Sequence, residues 1–417
     1  GEPVCREHGR NPKVPTGKHG RGRRWQVEYT DPDGKLHYPC FDTEDQAGAF
    51  LVKVKADMLR GTYRDPGSGQ VTLRKYALDV FMPAQGFDQV TRERVESALR
   101  VHILPHLGAK RLQEIEAHPS LVQAWVNGLP LAPSSAGRVF VMLNTIMRWA
   151  RRDRLIGGNP CEGISLPRTV KRRIEAWTPE TTAAVRSGLA ERYRAFVDAG
   201  VGLGLRQSEL FALAVEEVAW LPRVVHVRAQ VKLVGGRQWF AAPKARKERM
   251  VPLATQTAGR LSAHLAAFPA APVTLPWHEP GTRHHARPHT LTLLFSTPEG
   301  HALNRNTFNQ SVWRPAREAA GLADDRVNGC HMMRHVYAST LVARGIDVRT
   351  VAEYLGHEDG GALVLKTYSH LLPDAEDRAR RALEEALSEV TGPPATAIIG
   401  HLASYGPGEA IHGPEVP

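Results

Sequence analysis

Two arginines, two histidines, a lysine and a tyrosine, Arg206, Arg334, His331, His357, Lys244 and Tyr368, lie in short strings in the second half of the chain and carry the functional groups of a phosphodiester-cleaving site. Paired guanidiniums can clamp the non-bridging oxygens of a phosphate and stabilise the charge that builds on them. A tyrosine can attack phosphorus, histidines can pass protons near neutral pH, and a lysine can protonate a leaving alkoxide. The set contains no carboxylate pair of the kind that would carry a metal ion through the same chemistry.

Singly, each string is a weak signal. Arg206, in Gly204-Leu-Arg-Gln-Ser-Glu-Leu210, stands where a loop enters a helix, and Glu209 three residues on can orient it or cap the turn. An Arg-x-x-Glu pair is more often a surface ion pair. Lys244, with Lys247 and Arg249, reads first as a solvated basic hairpin on a three-stranded β element. In His331-Met-Met-Arg334-His335, the i,i+3 spacing puts His331 and Arg334 on one helical face, where both can point at one phosphate. His335 falls about 100° further round the helix and reads as a structural histidine. Gly356 ends a helix in Leu355-Gly-His357, which sets His357 at a helix start with its N–H available to an anion. Tyr368 by itself is an ordinary core aromatic. Their joint occurrence, in this order along one direction of the chain, carries the weight.

The elements that must position these groups follow from periodicity. Residues 10–24 contain Arg10, Lys13, Lys18, Arg21, Arg23 and Arg24 and no acid, and they lead into an alternating strand at Trp25–Tyr29. Asp31-Pro-Asp-Gly34 is a turn, Leu36–Phe41 the returning strand, and Thr43 with Gln46 caps a helix that Gly61 stops. Helical patterns follow near 72–82, 91–103, 119–127 and 134–152. Residues 165–173 form a basic linker containing Lys171, Arg172 and Arg173. Thr178-Pro179 then opens a helix near 179–190, with another near 207–213, β-type runs at 223–233 and 237–242, and helices to about 388. The expected fold class is multidomain: a small α+β module over residues 1–66 (sheet plus helix), an all-α domain over 71–165, and a mainly α domain with a small antiparallel sheet over 177–390. Residues 391–417, rich in Gly and Pro, read as a disordered tail.

Composition agrees with a polyanion partner. Lys plus Arg number 54 against 43 acids, a net charge of +11. No apolar run approaches the roughly 18 residues of a membrane span, and no signal-peptide pattern opens the chain, so a soluble cytoplasmic, nucleoid-associated protein is expected. The four cysteines read as reduced thiols. Cys5, His8, His37 and Cys40 have zinc-ligand types, but a predicted hairpin fills the space between the pairs. His278, His284, His285 and His289 cluster in a Pro- and His-rich stretch with weaker metal-site character.

With these strings, Met333-Arg-His-Val-Tyr-Ala-Ser-Thr340, Tyr354-Leu-Gly-His357 and Thr367-Tyr-Ser-His370, the chain resembles the tyrosine recombinase, or phage integrase, family over essentially its whole length. The resemblance implies the fold shared with type IB topoisomerases, an arm-site-binding module of actinobacterial type at 1–66, a core-binding domain at 71–165 and a catalytic domain at 177–390, whose middle Val312–Leu322 matches. It implies Tyr368 as nucleophile forming a 3′-phosphotyrosyl link, and Arg206 and Arg334 as the phosphate clamp. His331 would assist Tyr368 as base or hydrogen-bond partner, and His357 would donate to a non-bridging oxygen. Lys244 would protonate the leaving 5′-hydroxyl, and Glu209 would be an accessory acid that orients its neighbours. DNA contacts are expected from Arg21, Arg23, Arg24, Lys171, Arg172 and Arg173. No cofactor, metal or ATP is implied. The partners implied are double-stranded DNA at core and arm sites, further copies of the chain in a tetramer, and an accessory bending protein or excisionase. Two departures stand out: Gly360-Gly361 lengthens the path from His357 to Tyr368, and the 272–292 insert has no chemical role in the family. A regulator that has lost catalysis is disfavoured by the presence of all six side chains, and a topoisomerase-like swivelase by the arm-like module.

Overall fold

The computed structural model describes residues 25–168, 174–279, 287–371 and 380–388, apart from 33, 62, 66, 67, 326 and 382. It separates into two compact units, Gly1–Val170 and Lys171–Pro417, each rich in helix with small antiparallel sheets. None of the described helices is long and apolar enough to cross a membrane.

In the first unit, β1 (Trp25–Gln26) pairs with β4 (Cys40–Phe41), and β2 (Tyr29–Thr30) with β3 (Leu36–His37). The strand expected to run unbroken through 25–29 is interrupted because Val27 N donates to Pro39 O while Pro39 has no N–H to return. Val27 and Tyr29 are buried against Ala47 and Val54 of helix Glu44–Leu59, whose first turn is capped by the Thr43 hydroxyl. Trp25 is left exposed. His37 stacks on Tyr29 and its Nε2 lies 2.8 Å from Asp31 Oδ2, which engages the ring apart from Cys40. Cys5 and His8 lie outside the described residues.

The helices that follow bury a continuous apolar stripe. In Pro133–Arg152 it consists of Ala136, Val139, Phe140, Leu143, Ile146, Met147 and Ala150, a spacing of three and four that faces Phe81, Ile103 and Val122. Helix Gln89–Ala98 starts on an Asp88 cap, and the short helix Leu112–Ala117 adds an element that the periodicity does not predict.

In the second unit, Thr178 caps helix Pro179–Gly188, and helix Glu191–Leu203 packs beside it. The run read as a single strand at 223–233 is two. β6 (Val224–Val227) joins β5 (Val218–Ala219) and β9 (Arg249–Pro252), while β7 (Gln230–Val234) forms a hairpin with β8 (Arg237–Ala241). Within the stretch expected to be helical, β10 (Ala271–Pro276) and β11 (Pro288–Leu293) make a second hairpin, because Val273, Leu291 and Leu293 alternate into the core. His278 N donates to Phe240 O and Trp277 bridges Phe240, so this hairpin extends β8. His289 packs on the Trp277 ring, and His284 and His285 lie outside the described residues. The central helix His331–Ala343 buries Met332, Met333, Arg334, Tyr337, Ala338 and Val342.

Candidate active site

Two helix C-termini, each closed by a left-handed glycine, assemble the site. Helix Glu191–Leu203 ends at Gly204 (φ 62°) and helix Val348–Leu355, capped by Asp347, ends at Gly356 (φ 64°). That conformation favours glycine, and at Gly204 space demands it as well, since a Cβ would sit 2.3 Å from the Tyr337 ring. Carbonyls at a helix end have no intrahelical partner, and here guanidiniums take them. Arg334 Nη1 donates to Gly204 O at 2.8 Å and its Nη2 to Leu355 O, while Arg206 Nη2 donates to Gly356 O at 3.1 Å.

Glu209 binds the cradle from beneath. Its carboxylate, in a residue only 2% exposed, accepts from Arg206 N and Nη1, both at 2.8 Å, and from Arg249 Nη1 at 3.2 Å and Nη2 at 2.7 Å. Burial alone would raise its pKa, but the bonds and charge of Arg249 and the charge of Arg206 outweigh it and hold the carboxyl at about 2. Arg249 is itself buried and fixed by Nε donating to Tyr354 O at 2.6 Å.

The His357 N–H does not face an anion at a helix start. It donates to Ala352 O at 2.9 Å to close the preceding helix, and the next helix begins only at Ala362. The ring is the available part. Its Nε2 accepts from Arg334 Nη2 at 3.0 Å, and because a guanidinium only donates, the ring proton must sit on Nδ1. That Nδ1 is buried and has no hydrogen-bond partner. Burial, then Arg334, pushes the His357 pKa down to about 4.

Tyr368 is the last residue of helix Ala362–Tyr368 and is 4% exposed. Burial pushes its phenol up to about 12, against the lowering effect of Arg334. Its hydroxyl lies 2.5 Å from Nδ1 of His335. His331, the first residue of its helix, is exposed and presents its ring edge-on to His335 at 4.9 Å. Desolvation on its protein side, then Arg334 and Arg206, lowers its pKa.

Lys244 stands apart. It is exposed in the 3-10 turn Lys244–Arg246, and its side chain forms no hydrogen bond or ion pair with the described residues. Lys247, three residues on, donates from Nζ to His357 O at 3.0 Å. Arg206 thus meets Glu209 and Arg334 meets His357 directly, and the two pairs are held to the neighbouring carbonyls of Gly356 and Leu355, with His331, His335 and Tyr368 alongside. Arg21, Arg23, Arg24, Lys171, Arg172 and Arg173 lie outside the described residues. Arg249, Lys247 and His335 have parts in this cluster that the sequence strings did not assign to them. For Arg249 a signal exists, because it precedes Val251 by two in an alternating strand and so shares its buried side.

Two guanidiniums locked by carbonyls and a buried carboxylate, a neutral histidine with a free N–H, and a phenol beside a second histidine define an oxyanion-binding cradle with an oxygen nucleophile at its edge. Residues 179–374 match the model of the phage integrase family. The chain is 27% identical over 379 residues to the putative prophage phiRv2 integrase of Mycobacterium tuberculosis strain H37Rv, covering 88% of this chain and 93% of that protein. It is 25% identical over 351 residues to the integrase of Mycobacterium phage L5, covering 81% and 88%. Among solved structures, the fold is like that of the Tn1549 transposon integrase in complex with circular intermediate DNA, at TM-score 0.60 and 16% identity over 76% of this chain and 100% of that one. It is also like a lambda integrase tetramer bound to a Holliday junction, at TM-score 0.54 and 17% identity over 83% and 92%. Residues 179–374 thus form a domain of the phage integrase family, in a chain similar along most of its length to the two mycobacterial integrases.

Proposed function

We propose that this chain is a site-specific DNA recombinase that integrates or excises a mobile element, cutting and rejoining DNA through a 3′-phosphotyrosyl intermediate. The observation that carries the reading is the convergence of Arg206, Arg334 and His357, held by the carbonyls of Gly204, Leu355 and Gly356, next to the Tyr368 phenol. Arg206 and Arg334 clamp the two non-bridging oxygens of the scissile phosphate, and the unpartnered Nδ1–H of His357 donates to one of them. Tyr368 Oη attacks phosphorus as the P–O5′ bond breaks, and Lys244 protonates the leaving oxygen. The exposed turn leaves the Lys244 ammonium free to reach that oxygen, whereas Lys247 is engaged on His357 O. Glu209 orients the guanidiniums and His331 assists at the exposed side of the phenol. The phosphotyrosyl bond keeps the energy of the diester, so rejoining is the same step reversed and calls for neither ATP nor a metal.

The reading extends along the chain: residues 1–66 bind arm sites, 71–165 the core site, and 177–390 cut, with 391–417 a disordered tail. Lambda integrase has been solved as a dimer on a core site and as a tetramer on a Holliday junction. We extend to this chain a tetramer on double-stranded DNA, with phosphate contacts from Arg21, Arg23, Arg24, Lys171, Arg172 and Arg173 and an accessory bending protein or excisionase as further partner. The test is a nicked suicide substrate bearing the core site. The wild type is expected to leave a covalent protein–DNA species on a denaturing gel, undiminished by excess EDTA, and Tyr368→Phe none. An adduct formed by Tyr368→Phe would sink the assignment.

A further inference from the structure

The phenol of Tyr368 is bonded to a histidine that has no role in the scheme above. His335 Nδ1 and Tyr368 Oη are 2.5 Å apart, with the rings tilted by 54°. The titratable and charged groups facing this pair are His331 and Arg334 from the same helix as His335, and Tyr368 itself from helix Ala362–Tyr368. No carboxylate of the described residues is among them. His335 is therefore neutral at physiological pH, held down to about 4 by burial and then by His331 and Arg334. Either tautomer of a neutral imidazole can close this bond to a phenol, and base catalysis uses the one in which the hydroxyl donates, Nδ1 accepts and Nε2 carries the ring proton. His331, by contrast, is exposed at the helix start, and its ring meets the edge of His335.

We propose that His335 is the general base of the cleavage step, accepting the Tyr368 proton at Nδ1 as Oη bonds to phosphorus. The inference rests on Tyr368 being the nucleophile. In the forward step the O–H bond of Tyr368 breaks, its proton moves to Nδ1, the Oη–P bond forms, and the P–O5′ electron pair leaves on O5′ to be protonated by Lys244. In rejoining, the imidazolium returns its proton to Oη. Before DNA arrives, burial, then His331 and Arg334, make His335 a poor base and the phenol stays protonated and buried. A phosphate seated on Arg206 and Arg334 offsets those charges and raises the basicity of His335, so the nucleophile is activated by the substrate it is to cut.

The test is single-turnover cleavage of suicide DNA by the full chain across pH 6 to 10, for wild type, His335→Gln, His335→Ala and His331→Gln. Glutamine can still accept the phenol hydrogen bond but cannot take its proton, so it separates positioning from base catalysis. Both His335 variants are expected to bind DNA like the wild type and to cleave about a hundredfold or more slowly at neutral pH. Their rates should climb close to tenfold per pH unit where the wild-type rate has levelled, because the phenol must then ionise unaided. Should either variant fail to fold, the other is read. A more acidic fluorinated tyrosine at position 368 should restore cleavage to the variants. A wild-type pH profile in His335→Gln, a loss equal at every pH, or the steep profile appearing in His331→Gln instead would overturn the proposal. A Tyr368→Phe control that still forms adduct would place the failure in the nucleophile assignment and not in the base.

Discussion

Arg334 Nη2 and His357 Nε2 are 3.0 Å apart, and the direction of their hydrogen bond is fixed because the guanidinium has no lone pair to accept with. His357 is thereby held neutral with its Nδ1–H unspent. Burial first, and then the cationic surroundings, act likewise on His331 and His335, so these three histidines of the site have pKa values below the ordinary 6.5.

This has a consequence for acid stability. Because each folded pKa is depressed, the unfolded chain binds more protons between pH 6.5 and about 4, so stability is complete above pH 6.5 and falls as pH drops through that window. Each group contributes at most about 1.4 kcal/mol per pH unit, and exposed His331 less. Glu209, held at about 2, does not titrate there. Urea unfolding at pH 7, 6 and 5 should show the decline and His357→Gln a shallower one; a flat profile in the wild type would contradict it.

Arg249 and Arg206 share Glu209 but should fail differently. Arg249 and Glu209 are both buried, so Arg249→Met takes the two Arg249 hydrogen bonds from a buried carboxylate, leaving it the partly exposed Arg206 alone, and should cost about 3–5 kcal/mol in unfolding free energy. Arg206 keeps 22% of its side chain exposed and leaves Glu209 paired when removed. Arg206→Ala should lose less stability while cleavage falls about 100- to 1000-fold. The reverse ranking, measured by denaturant melts and single-turnover rates, would rule out this division of labour.

Gly204→Ala tests the glycine cap. Positive φ costs about 1 kcal/mol and the clash with Tyr337 a further 1–3 kcal/mol, and the carbonyl that steadies Arg334 is displaced. Gly163→Ala, at φ 75° with open space around it, bears only the first penalty. Cleavage should fall in Gly204→Ala and stay at the wild-type rate in Gly163→Ala. Equal activity in both would detach the cap from function.

For Lys244 the informative substrate carries sulfur at the 5′-bridging position, since a thiolate leaves without a proton. Lys244→Ala should be crippled on ordinary DNA and largely restored on the sulfur substrate. Lys247→Ala, which removes a tether on His357 O, should be equally impaired on both. Rescue of Lys247→Ala and not of Lys244→Ala would exchange their roles.

The strings around Arg206, Arg334 and His357 were legible because ordered spacing survives in sequence, and the helices because their apolar stripes recur at three and four. Less legible was whatever depends on partners distant in the chain. Arg249 looks like a surface charge until β9 turns it toward Glu209, and His335 looks structural until helix Ala362–Tyr368 lays its last residue against it. The β10–β11 hairpin was hidden by its prolines, which mask a two-residue alternation that only the Phe240 pairing makes plain.

The central claim is that Tyr368 becomes covalently joined to DNA. The most direct measurement traps the adduct of the full-length wild type on suicide DNA, digests protein and DNA, and locates the nucleotide-bearing residue by mass spectrometry. The account predicts a 3′-phosphonucleotide on the peptide containing Tyr368 and on no other tyrosine; the nucleotide on Tyr354, Tyr337 or any other residue would contradict it.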